Sequence, residues 1–187
     1  TALGYGQSLN LLSSDPGASS ALHRDMMSSF NQYCMVGGMP EAVQRYIDSR
    51  DVSSISSTYD SLLQTYRNDI EKYVKRGKLT DVVRYILRYG WNAAGDTVTL
   101  SDFMGSGYTS GDVRAAFQTI EKAMLMELVY PSTSALSPYL PELRRKPKLI
   151  WLDTGLVSYA ARAQQEFIES RDLMGTWRGK LAEHIVA

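Results

Sequence analysis

The fold class of this chain is decided by one stretch, ISSTYDSLLQTYRNDIEKYV, which occupies residues 55–74. Its apolar and aromatic side chains recur at steps of three and four residues, the spacing of a single helix face. Basic residues follow directly, and Gly77 then supplies the residue type that commonly ends a helix. The stretch therefore predicts a long amphipathic helix and a mainly helical protein.

Two shorter helices are predicted upstream of this stretch. The first begins at Ala21 with apolar residues on one face, and the glycine pair at 37–38 ends it in a tight turn between two helices. The second begins at Pro40, which suits the first turn of a helix, and runs to about Ile47. Residues 1–20 are small, polar and turn-forming, so they are expected to form a loop or leader.

Downstream of Gly77 the pattern changes to short helices and strands. Helices are predicted at 79–89 and 101–104, and a Thr-x-x-acid capping box opens a third helix that carries Val113, Phe117, Ile120 and Met124. Strands are predicted at 97–100, 128–131 and 148–152. After Asp153, one helix is predicted from about Gly155 to Ala163 and a final one from near Gly179. We therefore expect a helical bundle over 21–77, a winged-helix-like module with a small β-hairpin over 78–152, and the first helices of a further α/β domain over 153–187.

Composition narrows the class of protein. The 187 residues are 44% hydrophobic, and 20 basic side chains balance 20 acidic ones, so no global field draws the chain to nucleic acid or an anionic membrane. The single cysteine, Cys34, excludes an intramolecular disulfide and is expected to be a buried thiol in a cytoplasmic protein. No apolar run is long enough to span a bilayer, so no membrane partner is expected. The chain opens on Thr1 and stops inside an amphipathic pattern, from which we expect a piece of a longer protein.

Motifs for catalysis are absent from the sequence. There is no Gly-x-x-x-x-Gly-Lys-Ser/Thr loop to hold nucleotide phosphates, and two distant histidines with one cysteine do not make a zinc site. Asp153 follows a predicted strand, where catalytic carboxylates often lie, but it is equally a helix N-cap, and capping is the favoured interpretation. We therefore expect this chain to bind no cofactor or metal and to catalyse no reaction itself.

Nucleic acid remains an alternative partner because basic residues cluster in two places. The helix that would read DNA in a winged helix is a poor candidate, since residues 111–128 carry two cations against three carboxylates. Two groups of residues are candidates for phosphate contacts: Lys72, Lys75, Arg76 and Lys78, and Arg144, Arg145, Lys146 and Lys148. A solvated helix end and a basic loop are the favoured interpretation of these groups. The sequence leaves open whether the chain binds nucleic acid and whether it associates with copies of itself.

Four motifs together resemble the C-terminal region of predicted prokaryotic AAA-type ATPases. They are, in order, GGMPEAV at 37–43, YRNDIEKY at 66–73, KPKLIWLDTGL at 146–156 and GKLAE at 179–183. In that family a nucleotide-binding core precedes a helical segment, a winged-helix-like module and a nuclease-like domain. The resemblance spans the chain from about Ala21 to its end.

The resemblance implies a function for the parent protein rather than for this chain. It places an ATPase core upstream, which would bind ATP and Mg and would be the partner of this chain. It also implies that the chain stops at the start of a nuclease-like domain, where Glu183 matches a glutamate of the opening helix. The chain is thus expected to be a non-catalytic region that couples the core to the nuclease-like end; the alternative is a winged-helix DNA-binding regulator.

Overall fold

The protein is mainly helical with one small antiparallel hairpin, as the sequence predicted. The computed structural model describes residues 16–74, 77–132, 140–170 and 175–186. Among these residues lie ten regular elements, which are α1 (Pro16–Val36), α2 (Pro40–Ser49), α3 (Ser56–Tyr73), α4 (Lys78–Tyr89), α5 (Ser110–Lys122), β1 (Met126–Val129), β2 (Lys148–Trp151), α6 (Thr154–Ala160), α7 (Ala163–Ser170) and α8 (Gly175–Val186). Short 3-10 turns occupy Val52–Ile55, Gly90–Ala93 and Phe103–Gly105.

The start of α1 corrects one sequence prediction. Residues 16–20 were expected to be loop, but α1 begins at Pro16, because proline already has the backbone angle of a first helical turn and lacks the N–H that would go unpaired there. The earlier part of the expected leader, residues 1–15, lies outside the described residues. At its other end α1 stops at Val36 as predicted, and Gly37 follows with a φ of 68°.

The helices of the bundle are built as their periodicity indicates. Tyr59, Leu63 and Ile70 of α3 are buried on one face. The helix ends at Tyr73, four residues before the glycine that the sequence suggested as its stop. In α2, Pro40 stands in the first turn as predicted, and the helix runs two residues past the expected end at Ile47.

Helices α4 and α5 pack together and form the second part of the core. Their buried side chains are Val82, Val83, Ile86 and Leu87 of α4 and Val113, Ala116, Phe117 and Ile120 of α5. The predicted capping box is present, since the Thr109 hydroxyl accepts from the Asp112 N–H and the Asp112 carboxylate accepts from the Thr109 N–H. The prediction for Met124 was wrong, because α5 ends at Lys122 and Met124 has a φ of 55° in the turn into β1, where it is exposed.

Strand β2 lies in the middle of a small layer of extended chain. One edge pairs with β1 in antiparallel register, Met126 opposite Trp151 and Val129 opposite Lys148. The other edge receives residues 95–98, through hydrogen bonds from Gly95 N–H to the Leu149 carbonyl (2.8 Å) and from Leu149 N–H to the Asp96 carbonyl (3.0 Å). The strand predicted at 97–100 is therefore reduced to a bridge at Thr97.

The C-terminal helices differ from the prediction in their bounds. A single helix was expected to end at Ala163 and a final one to begin near Gly179, whereas α6 ends at Ala160, α7 occupies Ala163–Ser170 and α8 begins at Gly175. Arg162, with a φ of 63°, separates α6 from α7. The early start of α8 reflects packing of Trp177 and Leu181 against the core, which outweighs the weak helix propensity of its glycines. None of the helices described here is long and apolar enough to cross a membrane.

Candidate functional site

The carboxylate of Asp153 joins two motifs that are far apart in sequence. It is buried, with 8% of the residue exposed, and it accepts hydrogen bonds from the Leu156 N–H (2.8 Å) and from the Gly38 N–H (2.5 Å). The first bond caps the N-terminus of α6, as the sequence predicted. The second crosses 115 positions of sequence to the turn between α1 and α2. We call this group, Gly37, Gly38, Tyr59, Asp153 and Gly155, the Asp153 junction.

Two glycines allow two backbone segments, the turn after α1 and the start of α6, to approach each other at this junction. A Cβ on Gly37, whose φ is positive, would stand 2.7 Å from the Gly155 nitrogen. A Cβ on Gly155 would stand 2.6 Å from the Val36 carbonyl oxygen, closer than real side chains come. Both positions therefore need glycine, because backbone meets backbone at each of them.

Tyr59 of α3 brings a third segment to the junction. Its hydroxyl donates to the Val36 carbonyl and lies 3.2 Å from the Asp153 carboxylate. Burial, and then the charge on Asp153, raise the pKa of Tyr59, so the phenol keeps its proton and remains a donor. The ring also stacks on Tyr159 of α6, with centroids 5.8 Å apart.

Side chains from three helices satisfy the carbonyl groups at the end of α1. The Ser158 hydroxyl donates to the Cys34 carbonyl (2.8 Å) and the Gln164 amide donates to the Met35 carbonyl (2.7 Å), in addition to the bond from Tyr59 to Val36. The last carbonyls of a helix have no partner within the helix. Here α3, α6 and α7 supply those partners, so the end of α1 is fixed to the C-terminal part of the chain.

Helix α8 contacts β2 through the motif that begins at Gly179. His184 Nε2 accepts from the Trp151 N–H (2.8 Å), at the point where the edge segment 95–98 no longer pairs with β2. One helical turn away, the Lys180 ammonium donates to the Asn92 carbonyl (2.8 Å) and pairs with Asp96 (2.6 Å). The histidine thus replaces the carbonyl that a longer edge strand would supply.

The hydrogen bond from Trp151 also sets the protonation of His184. Since Nε2 accepts, the hydrogen-bond network places the proton on Nδ1. Burial lowers the pKa of His184, while the charge on Asp153 opposes that shift. The residue is therefore a neutral acceptor, as a structural contact requires, rather than an imidazolium.

A cavity of about 430 Å³ opens beside the Asp153 junction. It is bordered by Tyr33, Gly38, Asp153, Thr154 and His184 among others. The Thr154 hydroxyl and His184 Nδ1 are buried without a protein partner. Asp153 is occupied by backbone N–H groups, and within the described residues no cluster of three or more metal-ligating side chains occurs. The arrangement can hold segments together, but it lacks a paired nucleophile and base.

The structure separates the residues that were predicted to contact nucleic acid. Lys72 pairs with Asp69 (2.8 Å), Lys78 pairs with Asp112 (2.6 Å) and Lys148 pairs with Glu183. Lys75 and Arg76 lie outside the described residues. Arg144, Arg145 and Lys146 are exposed and border one groove together with Arg114. Glu183, the residue matched to a nuclease-like helix, is thus a partner of Lys148 on the surface.

The family model of a domain of unknown function, DUF8612, matches residues 27–166. The chain belongs to this family. The DUF8612 match includes every residue of the Asp153 junction and the Ser158 and Gln164 contacts, while α8 lies beyond its end. No curated protein and no solved structure matches the chain.

Sequence reasoning missed several residues of this DUF8612 site. Tyr59, Ser158 and Gln164 donate hydrogen bonds to the last carbonyls of α1. The His184 side chain accepts a hydrogen bond from the backbone N–H of Trp151. A polar residue within an otherwise apolar run, such as Ser158 after Leu156 and Val157, is a signal that could have pointed to a buried contact. Its partner, more than a hundred positions away, leaves no such signal.

Proposed function

We propose that this chain is a non-catalytic coupling region of an AAA-type ATP-binding protein. It would connect an ATPase core, which binds ATP and Mg, to a nuclease-like domain. The observation that carries this proposal is the Asp153 junction, where one buried carboxylate holds the turn before α2 and the start of α6. The four sequence motifs that resemble the ATPase family support it, because three of them supply the contacts between segments.

The geometry of the junction supports coupling in a specific way. A displacement of the turn at Gly37 and Gly38 would remove a charge-assisted hydrogen bond from Asp153 and expose the close contact with Gly155. Asp153 also caps α6, so the same displacement would disturb the helix that leads to α7 and α8. A contact of this kind transmits motion only if the junction has two discrete arrangements.

The first experiment asks whether nucleotide binding is absent from the chain. Isothermal titration of the purified chain with ATP and Mg²⁺ is expected to show no saturable heat, since no phosphate-binding loop is present in the sequence. Micromolar affinity would overturn the proposal, because the chain would then be a nucleotide-binding protein in its own right.

The second experiment tests coupling in the full-length protein encoded by the natural reading frame. Amide hydrogen exchange is measured across α6 and α8 with and without a non-hydrolysable ATP analogue. We expect the wild type to change its exchange on nucleotide binding and Asp153→Asn to lose that response while still binding nucleotide. Asp51→Asn is the matched control, since Asp51 is exposed and its carboxylate caps only the 3-10 turn Val52–Ile55.

Two results would contradict the coupling proposal. One is a reading frame without an ATPase core. The other is an exchange response that Asp153→Asn and Asp51→Asn reduce equally, which would mean that the junction has no special part in transmission.

A further inference from the structure

A narrow groove runs between the start of α5 and the segment that leads into β2. Its walls include Ser110 and Arg114 of α5 on one side and Arg144, Arg145 and Lys146 on the other. Its volume is about 240 Å³. Ser110 and Arg114 are four residues apart, so they share one face of the helix.

The charge of this groove is entirely positive. Its four charged lining residues are Arg114, Arg144, Arg145 and Lys146, and no Asp or Glu is among the residues that border it, all of which are described. All four side chains are exposed, and none forms an ion pair with a carboxylate in the described part of the chain. By contrast, the predicted contacts at Lys72, Lys78 and Lys148 are each neutralised by a neighbouring carboxylate.

We propose that this groove binds the phosphate backbone of duplex DNA without reading its sequence. Arginine and hydroxyl groups are common partners of phosphate oxygens, and the groove combines four cations with the hydroxyl groups of Ser110 and Tyr130. The cations come from a helix and from the connection between β1 and β2, two elements that can flank one strand of a duplex.

The residues in and around the groove argue against two other modes of nucleic-acid binding, base reading and single-strand binding. Base reading requires Arg, Lys, Asn or Gln side chains along the helix that enters the major groove, whereas residues 111–128, from α5 into β1, carry three carboxylates against two cations. Binding of single strands relies on several aromatic side chains on which bases stack. Tyr130 is the one aromatic residue that borders the groove, and all residues of that border are described.

The test measures binding of a fluorescein-labelled duplex of roughly 20 base pairs by fluorescence anisotropy at two salt concentrations. If four phosphates are neutralised, raising the salt from about 50 to about 200 mM is expected to weaken Kd roughly 100-fold. Arg144→Gln/Arg145→Gln removes two of these contacts, so its Kd should change only about 10-fold over the same range. Arg114→Gln alone should also reduce the salt dependence, which ties α5 to the site.

A matched control variant has the same net charge as Arg144→Gln/Arg145→Gln. Lys72→Gln/Lys78→Gln removes the same two charges from cations that are already paired, and its salt dependence should equal that of the wild type. Circular dichroism confirms that each variant is folded before binding is measured.

Three outcomes would overturn the proposal. The first is no measurable binding at about 50 mM salt, where non-specific affinity is strongest. The second is an equal loss of salt dependence in the arginine and lysine double variants, which would show that binding responds to net charge alone. The third is tighter binding to a single strand of the same sequence or to RNA than to the duplex.

Discussion

Removal of the Asp153 carboxylate should destabilise the whole chain, although the residue lies in a loop between β2 and α6. Asp153→Ala leaves the Leu156 N–H and the Gly38 N–H without an acceptor at a position where Asp153 is only 8% exposed. Both donors belong to backbone that cannot easily rotate towards water, because the two backbone segments are in close contact at Gly37 and Gly155.

The magnitude follows from the two bonds. Loss of the N-cap to α6 costs about 1 kcal/mol. Loss of a hydrogen bond to a charged group, here from Gly38, costs about 2 kcal/mol. Tyr59 adds little, because its single proton is donated to the nearer Val36 carbonyl and Asp153 is the more distant acceptor. The free energy of unfolding should therefore fall by about 3 kcal/mol, and the Tm by about 6–12 °C.

Thermal unfolding followed by circular dichroism, together with urea titration, measures this loss. Asp51→Ala serves as the control, since Asp51 also caps a turn but is exposed, and its loss should be much smaller. A decrease of less than about 1 kcal/mol for Asp153→Ala, or a decrease equal to that of Asp51→Ala, would refute the view that the junction stabilises the fold.

Three further predictions concern Gly155, His184 and Cys34. Gly155→Ala should lower stability by about 3 kcal/mol in urea titrations because its Cβ meets the Val36 backbone, whereas Gly179→Ala, with open space around it, should be neutral or slightly stabilising. Because burial lowers the pKa of His184, the unfolded chain takes up that proton first, so the urea midpoint should fall as pH drops below about 6.5, and His184→Gln should reduce this fall. Burial raises the pKa of Cys34 to about 12, so a thiol reagent at about pH 8 should modify it only after denaturant is added; rapid labelling of the folded chain would contradict this.

The elements that could be predicted are those with local causes. The face of α3, the proline in the first turn of α2, the capping box at Thr109 and the cap at Asp153 depend on neighbours within four residues, and all are present. The elements predicted poorly have weak local signals. Residues 16–20 contain turn-forming types, and α8 contains two glycines, yet both are helical because of their position or packing.

The candidate site could be predicted only in part. Asp153 was recognised as a cap, and the glycine pair as a tight turn, but nothing local shows that the two belong together. The same holds for the basic residues: their sequence clusters do not distinguish Lys148, which pairs with Glu183, from Arg144 and Arg145, which border the groove. Charge pairing depends on which elements meet, and that is a property of the folded chain.

The amino-acid sequence by itself determined the helical class, most helix positions and the caps, because periodic burial and N-terminal capping act over a few residues. The tertiary structure decided what these elements do to one another. It placed the Gly38 N–H on Asp153, put His184 where a strand would otherwise pair with Trp151, and brought Arg114 to the arginines before β2. Such contacts require donors, acceptors and charges from distant segments to match in space, and the spacing of residues along a chain does not specify that match.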